Sequence, residues 1–277
     1  MPGPAAANGQ DTVTWIVERF EPYYILDGKL KGQGAADHLV ELVRHELPDM
    51  RHRVEFMPIL RIRESLKARE HAVCISFLKD RSLADSVQYS VATMLVPALE
   101  VTLRRDDWQR LWGGAPVLSL ASLMNGGAVV GVADGRRYST SLDALLTDRL
   151  RFPKSVYARV GDHYMGLAEM VAHRHIDATI GYAAELRYAQ KIAGDLDGLV
   201  SLPLSENLQP LYAYTIIPKG PWGDRFRARI DPILRRLRAT PAYRQAMIDW
   251  FGESASWDRE YRERLEAGRM DAQSAGF

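Results

Sequence analysis

Short apolar runs alternate with segments of helical spacing along most of the chain. Short apolar runs predict buried strands, and apolar residues three and four positions apart predict helices that bury one face. In the first half, strands are predicted over 12–17, 53–57 and 72–77, with helices over 37–47 and 59–69. The run 72–77 is apolar almost throughout, which is typical of a parallel strand covered on both faces.

The second half repeats this alternation. Its predicted elements are, in chain order, strand 128–132, helix 141–150, strand 155–160, helix 162–173, strand 175–181, helix 183–193, strand 211–217 and helices 221–239 and 241–251. Strands that alternate with helices predict an α/β architecture. Because the helix end, polar turn and buried strand at 66–75 resemble those at 170–180, we expect two similar lobes rather than one long sheet.

Two segments, 95–103 and 199–204, each precede a change of half and are the candidate crossings between lobes. The predicted division is lobe 1 from 11–103 with 206–253, lobe 2 from 104–205, and a C-terminal tail over 254–277. The tail is charged, and its pattern fits either a helix or a frayed end.

Composition excludes several classes of protein. A chain of 277 residues, 47% hydrophobic, can bury a substantial core, and its net charge of +1 gives no bulk attraction to nucleic acid or membrane. The single cysteine, Cys74, excludes an intramolecular disulfide, and no apolar stretch approaches the length of a membrane helix. The first ten residues lack the apolar core of a signal peptide, so they are either a native start or what remains after a signal is removed.

The candidate chemistry lies in two arginine-bearing turns. The segment 131–139 leaves an apolar strand, turns on a glycine, presents Arg136, Arg137 and Tyr138, and enters a helix near Ser139. Backbone N–H groups at a helix N-terminus and guanidinium donors both suit a small anion. Arg81 follows an earlier strand in the other half, so the two turns predict a ligand held between two lobes.

The chain resembles the family 3 extracellular solute-binding proteins, which have the bilobed type II periplasmic binding fold. The resemblance covers about residues 12–251 and rests on the order and spacing of several segments. These are 13–15 with 21–24, 32–37, 76–81 followed by 88–90, 131–139, 177–182 and 217–219. It implies two lobes, each a mixed sheet flanked by helices.

The resemblance also implies a function. A protein of this kind captures a small solute in its cleft, closes about two hinge strands and delivers the solute to an inner-membrane ABC transporter. It implies a periplasmic location after loss of a signal peptide, a monomer, and neither cofactor nor metal. In amino-acid binders of the family, an arginine at the position of Arg81 grips the ligand carboxylate. A hydroxyl and backbone at the positions of Ser76 and Phe77 join it, and the turn matching 136–139 supplies amides.

The chain departs from the family at the group that holds a ligand ammonium. The usual aspartate after strand 178–180 is replaced by Gly181 and Tyr182, and Glu18 lies only close to the expected first-strand acid. A missing carboxylate removes a charged hydrogen bond typically worth ~1.5–3 kcal/mol. The expected ligand is therefore a small anionic or zwitterionic solute, amino-acid-like or a carboxylate, of undetermined identity.

Each candidate cation has a structural alternative. Arg81 either binds ligand or pairs with Asp80 or Asp85 on a solvated turn. Arg136 and Arg137 are adjacent and cannot easily face the same way, so one is expected in the cleft, with Arg137 favoured. Arg61 either adds positive charge to the site in the first lobe or, as is usual for an arginine, lies on the surface.

The candidate aromatic residues also have two interpretations. Trp15, Tyr23 and Tyr24 either form an aromatic floor for the ligand or, for Trp15 above all, pack in the core. Tyr138 either lines the site or packs beneath the helix, and Tyr182 is expected to line the cleft.

Other functions are weighed against binding. His173 and His175, two positions apart, do not share a helix face, so a turn pair is favoured over a metal site. A dehydratase-like enzyme on the same fold would need a general acid or base in the cleft, for which Glu18 and Glu206 are the candidates. A sensory module read by a membrane receptor is a further alternative, and we expect a binding protein rather than an enzyme.

Overall fold

A computed structural model of the chain describes residues 11–160, 164–251 and 255–272. Within them, the strands are β1 Thr12–Val17, β2 Arg51–Phe56, β3 Ala72–Phe77, β4 Val87–Val96, β5 Glu100–Arg104, β6 Val130–Ala133, β7 Val156–Arg159, β8 Ala178–Gly181, β9 Leu199–Pro203 and β10 Leu211–Pro218. The helices are α1 Ala35–His45, α2 Ile59–Ala68, α3 Arg105–Trp112, α4 Leu120–Asn125, α5 Thr140–Thr147, α6 Tyr164–Ala172, α7 Ala183–Ile192, α8 Pro221–Arg238, α9 Pro241–Phe251, α10 Ala255–Glu266 and α11 Arg269–Ala272. A 3-10 turn spans Arg81–Leu83.

The strands form two sheets of matching topology, which define a first and a second lobe. The first has the order β2-β1-β3-β10-β4, and the second has the order β7-β6-β8-β5-β9. In each, three strands run parallel and the remaining pairings are antiparallel. The predicted fold class, α/β with two lobes each built on a mixed sheet flanked by helices, is confirmed.

Parallel strands need a crossover, and helices supply it in both lobes. Helices α1 and α2 connect the parallel strands of the first sheet, and α5 and α6 connect those of the second. Strand β3 is buried along its whole length, as its apolar run predicts. In open α/β sheets, ligands bind outside the carboxyl ends of the parallel strands. The ends of β1, β3, β6 and β8 therefore mark where a site is expected.

The elements differ from the prediction mainly where the chain crosses between sheets. The segment 95–103 is not a single crossing, because β4 ends at Val96 and β5 begins at Glu100 in the other sheet. Strand β9 likewise belongs to the second sheet, so the chain passes between sheets at 97–99 and 204–210. The residue boundaries of the lobes stay a prediction. Strand β4 and helices α3 and α4 were not predicted from the sequence.

The C-terminal segment folds as helices on the first sheet. Tyr261 of α10 is buried and its hydroxyl donates to the carbonyl oxygen of Arg238 at 2.7 Å. Arg238 is itself buried and donates to the carbonyl of Ala92 in the edge strand β4 at 3.0 Å. Met270 of α11 is buried beside it. The predictions about residues 1–10, 162–163 and 273–277 lie outside the described residues.

Candidate functional site

Four strand ends from the two sheets meet around one cavity of about 80 Å³. Residues after β1 and β3 face residues after β6 and β8, so the cavity lies between the lobes. Its walls are Glu18, Arg19, Phe20, Tyr23, Arg63, Ser76, Phe77, Leu78, Val96, Gly135, Arg136, Arg137, Tyr182 and Ala213. We call it the first cavity.

Glu18 is a buried carboxyl in the wall of the first cavity, directly after β1. Its carboxylate makes no hydrogen bond or ion pair with any of the described residues. Burial raises the pKa of Glu18 to about 7, and Arg136 and Arg63 oppose the rise without cancelling it. A cation that enters the cavity would stabilise the ionised form of this buried carboxyl.

Two further polar groups at the first cavity are unsatisfied. The hydroxyl of Tyr23 is buried without a hydrogen-bond partner among the described residues. Arg63, on α2, lies with its Nε 3.3 Å from Oδ2 of Asp80, yet neither atom makes a well-formed hydrogen bond. Buried polar groups are normally paired. The wall of the first cavity thus contains a carboxyl, Glu18, and a guanidinium, Arg63, that are not fully paired.

Arg136 is already neutralised. Its Nη1 donates to Oε1 of Glu185 at 2.8 Å and its Nη2 to Oε2 at 2.7 Å, a bidentate pair. Its guanidinium carbon also lies 4.9 Å from the ring centroid of Phe20 and 5.5 Å from that of Tyr182. Burial alone would lower the pKa of Arg136, but Glu185 beside it raises that pKa above its usual value. Arg136 and Glu185 are a fixed pair in the cavity wall.

The local sequence explains why Glu185 reaches this position. It stands in the first turn of α7, where Oε2 accepts a hydrogen bond from the backbone N–H of Tyr182 at 2.8 Å. Gly181 precedes this turn, and a Cβ there would collide with the ring of Tyr164 and lie 2.9 Å from Oε2 of Glu185. No side chain fits at the end of β8, so the family's aspartate has no room in this chain.

The structure brings together most of the predicted site residues. The first cavity is lined by Glu18, Tyr23, Ser76, Phe77, Arg136, Arg137 and Tyr182. The side chain of Arg137 is 54% exposed, and its Nε lies 3.0 Å from Oδ2 of Asp143. Of the two adjacent arginines, Arg136 is therefore the buried one and Arg137 lies at the rim. A ligand role for each of these residues stays a prediction.

Trp15 and Tyr24 lie in the core and not in the cavity wall. Trp15 is fully buried, stacks on His52 and donates from Nε1 to Nδ1 of that ring at 3.0 Å. Tyr24 is fully buried, with its hydroxyl 3.9 Å from Sγ of Cys74. The aromatic wall consists instead of Phe20, Tyr23 and Tyr182, which lie close together in the cleft.

Three other predicted residues lie elsewhere. Arg81 is exposed in its 3-10 turn and does not line the first cavity. Tyr138 is buried, accepts a hydrogen bond from the N–H of Ala133 at 2.9 Å and packs under Arg136. Ser139 caps α5 by accepting from the N–H of Leu142 at 3.3 Å.

Sequence reasoning missed Arg63 and Glu185. Arg63 lies two residues after Arg61, which is exposed, and helical spacing alone does not decide which of the two faces the cleft. Glu185 had a usable signal, because an acid three residues after the residue that precedes a helix typically caps that helix. The same rule did not reveal that Glu185 also neutralises Arg136.

The other candidate chemistry has structural explanations. Glu206 accepts hydrogen bonds from the hydroxyl of Ser119 at 2.7 Å and from the N–H of Ala121 at 3.1 Å, so it caps α4 away from the first cavity. Nδ1 of His173 lies 2.8 Å from the carbonyl oxygen of Glu169. Within the described ranges, no group of three or more His, Cys, Asp or Glu side chains is arranged to bind a metal ion.

Comparison with known proteins gives the fold. The chain matches an arginine-specific periplasmic binding protein of Salmonella typhimurium at 16% identity and TM-score 0.64, covering 87% of this chain and 99% of the other. It matches a putative L-cystine ABC transporter protein of Listeria monocytogenes at 15% identity and TM-score 0.65, covering 88% and 97%. A histidine kinase sensor domain matches at 19% identity and TM-score 0.66, covering 88% and 96%.

The fold is that of the type II periplasmic binding proteins. The resemblance seen in the sequence is confirmed at this level. No protein-family profile matches the chain, and no curated protein does. None of the helices in the described part of the chain is both long and apolar enough to cross a bilayer.

Proposed function

We propose that the protein captures a small zwitterionic, amino-acid-like solute in the first cavity, without chemical turnover. The observation that carries the proposal is a set of polar groups in the cavity wall: the buried carboxyl of Glu18, the hydroxyl of Tyr23, which lacks a hydrogen bond within the described residues, and Arg63, whose Nε contacts Asp80 without a well-formed hydrogen bond. A solute with one amino and one carboxylate group would pair with all three. An anion alone would leave the ionised form of Glu18 without a countercharge.

Each group has a distinct role in this proposal. The ligand ammonium lies at Glu18, because a cation there stabilises the ionised carboxylate against burial. The ligand carboxylate lies at Arg63, with the hydroxyl of Ser76 beside it in the same wall. The rings of Phe20, Tyr23 and Tyr182 enclose the ligand and exclude water. A charged hydrogen bond of this kind contributes roughly 1.5–3 kcal/mol.

The wider setting of the proposal follows the fold. The neighbours named as periplasmic binding proteins and ABC transporter proteins support capture in the periplasm and delivery to an inner-membrane ABC permease. We propose that the protein does so as a monomer. Fractionation of cells that express the full-length gene tests the location, and capture of the liganded protein by the permease tests the partner.

A sensory role is a second candidate. The histidine kinase sensor domain matches this chain as well as the transport proteins do, so the closed form could equally be read by a membrane receptor. The identity of the neighbouring genes separates the two. A permease and an ATPase beside the gene favour uptake, and a kinase or cyclase favours signalling.

The test is a thermal-shift panel of amino acids, their decarboxylated amines and their deaminated acids, followed by calorimetry on each hit. We expect the zwitterion to bind more tightly than either single-charge analogue. Arg63→Gln is expected to weaken its binding by roughly tenfold or more. Recovery of the solute unchanged after incubation checks that no turnover occurs.

Arg61→Gln is the matched control, since Arg61 is an exposed arginine two residues away on the same helix. It is expected to bind as the wild type does. Equal effects of Arg61→Gln and Arg63→Gln, or equal affinity for the deaminated acid and the zwitterion, would contradict the proposal.

A further inference from the structure

Two helices from different lobes touch each other beside the cleft. Helix α9 packs on α1 of the first lobe, and α7 packs on α6 and β9 of the second. Residues of α7 also contact α9. The chain itself passes between the sheets at 97–99 and 204–210, so the contact between α7 and α9 is a non-covalent link between the lobes.

Trp250 is the first-lobe side of this link. Its Nε1 donates to the carbonyl oxygen of Gln33, just before α1, at 2.7 Å, which fixes the indole ring to the first lobe. The next residue, Phe251, has its ring centroid 5.1 Å from that of Tyr23, and Tyr23 lines the first cavity. The end of α9 therefore contacts both the second lobe and a wall residue of the first cavity.

Arg187 is the charged part of the second-lobe side. Its Nη2 donates to the carbonyl oxygen of Trp250 at 2.8 Å. Trp250 lies in the last turn of α9, where carbonyl groups have no partner within the helix and carry a partial negative charge. The sequence of that turn contains no Lys, Arg or His of its own. A cation from the other lobe thus caps the end of α9.

Tyr188 adds a ring contact to the same link. Its ring centroid lies 5.9 Å from that of Trp250 at an interplanar angle of 60°, the edge-to-face geometry that aromatic pairs favour. Tyr182, which lines the first cavity, directly precedes α7. One short helix therefore joins the wall of the first cavity to the contact with α9.

The link is separate from the place where a solute is proposed to bind. Arg187, Tyr188 and Trp250 lie outside the wall of the first cavity. A further cavity of about 180 Å³ lies between them, because it shares Phe20 with the first cavity and Tyr188 with the link. The contacts of the link are thus made between protein groups alone and need no ligand.

We propose that Arg187, Tyr188 and Trp250 form a latch that holds the two lobes together independently of the ligand. The closed arrangement is the one described above, in which the ends of β1 and β3 face those of β6 and β8. A hydrogen bond such as that of Arg187 changes the ratio of closed to open protein by roughly threefold to tenfold.

The effect of the latch on affinity rests on the proposed function. A solute that binds between closed lobes has an apparent affinity proportional to the closed fraction of the protein. Arg187, Tyr188 and Trp250 are therefore positioning residues, which act on the solute through the arrangement of the lobes.

Small-angle X-ray scattering from the ligand-free protein tests the latch itself. Arg187→Met removes the donor at nearly equal length and is expected to increase the radius of gyration, with an unchanged far-UV circular dichroism spectrum. Tyr188→Ala, which removes the ring contact, is expected to act in the same direction. Arg187→Lys is expected to restore most of the wild-type value, because an ammonium also caps the carbonyl groups at a helix end.

Lys191→Met is the matched control. Lys191 is exposed on α7, one turn beyond Arg187 on the same face, and makes no hydrogen bond or ion pair with the described residues. It is expected to keep the radius of gyration of the wild type.

Calorimetry with the tightest-binding amino acid of the thermal-shift panel tests the effect on affinity. Arg187→Met is expected to bind it roughly threefold to tenfold more weakly, and Lys191→Met as the wild type does. At saturation with that amino acid, the radius of gyration of Arg187→Met is expected to return to the value of the liganded wild type.

Three outcomes would overturn the proposal. These are a wild-type radius of gyration in Arg187→Met, an equal expansion in Lys191→Met, or weaker binding by Arg187→Met without expansion, which would mean that Arg187 acts on the solute directly. Failure of the proposed function gives a different result, because then no amino acid binds to any of the proteins, while scattering from the ligand-free variants still decides whether the latch exists.

Discussion

Arg136 and Glu185 form a bidentate ion pair in the wall between the two lobes, with both oxygens of Glu185 engaged at 2.7–2.8 Å. The arginine that the turn sequence presents as an anion receptor thus already has its anion. What remains for a ligand is Glu18 on the opposite lobe, a carboxyl without such a partner. The recognition chemistry that we propose therefore lies at the end of β1 rather than at the lobe-two turn.

Removal of Glu185 is expected to destabilise the protein severely. Glu185→Ala leaves the buried guanidinium of Arg136 uncompensated, which typically costs about 3–5 kcal/mol. Chemical denaturation followed by circular dichroism measures the loss. Arg137→Ala breaks an ion pair at an exposed arginine and is expected to cost less than about 1 kcal/mol. Similar losses for the two variants would show that the pair at Arg136 is not buried as described.

Glu18→Gln is expected to stabilise the ligand-free protein above about pH 4.5, by an amount that grows until about pH 7. Burial raises the pKa of Glu18 from 4.5 to about 7 in the folded state. The unfolded chain therefore ionises first, and the wild type loses stability as pH rises from about 4.5 to about 7. At about 1.4 kcal/mol per pKa unit, the gain from glutamine at about pH 8 is at most roughly 3.5 kcal/mol.

Thermal unfolding of both proteins across this pH range measures the difference. The two curves are expected to converge below about pH 4.5, as Glu18 becomes protonated in both states. A constant difference at every pH would mean that burial does not raise the pKa of Glu18.

Solute binding is expected to release a proton below neutral pH. An ammonium at Glu18 needs the carboxylate form, so affinity should fall about tenfold per pH unit below about pH 7. Calorimetry at about pH 6 in two buffers of different ionisation enthalpy is expected to report close to one proton released per solute bound. In Glu18→Gln, both the pH dependence and the proton release should disappear. Unchanged affinity between about pH 6 and pH 8 in the wild type would contradict the role of Glu18.

Gly181→Ala is expected to destabilise the second lobe. A Cβ at this position would collide with the ring of Tyr164 and crowd Glu185, and overpacking of this kind costs about 1–3 kcal/mol. Urea denaturation measures it. Gly194→Ala is the control, because a Cβ there meets no atom within 4 Å. A Gly181→Ala protein as stable as the control would remove the steric reason for the missing aspartate.

Much of the fold can be predicted from the sequence, but the site can be predicted only in part. The apolar run of β3 and the strand–helix alternation predict two α/β lobes, because burial on both faces leaves a strong local signal. Strand β4 and its crossing into β5 are one apolar stretch in sequence, and only sheet pairing separates them. Arg81, Arg136 and Glu18 can each be assigned to a turn or strand end from the sequence. Whether the charge of each is free to bind a ligand depends on partners from distant elements, which the sequence does not show. Glu185 lies 49 residues from Arg136, and no local pattern predicts that contact.

The central claim is that Glu18 receives the amino group of a zwitterionic solute between the lobes. A crystal structure of the protein with the tightest hit from the thermal-shift panel tests this most directly. We expect density in the first cavity, with the ligand nitrogen within about 3 Å of the Glu18 carboxylate and a ligand carboxylate oxygen at the same range from Arg63. A ligand bound outside this cavity, or one that turns its carboxylate toward Glu18, would contradict the claim.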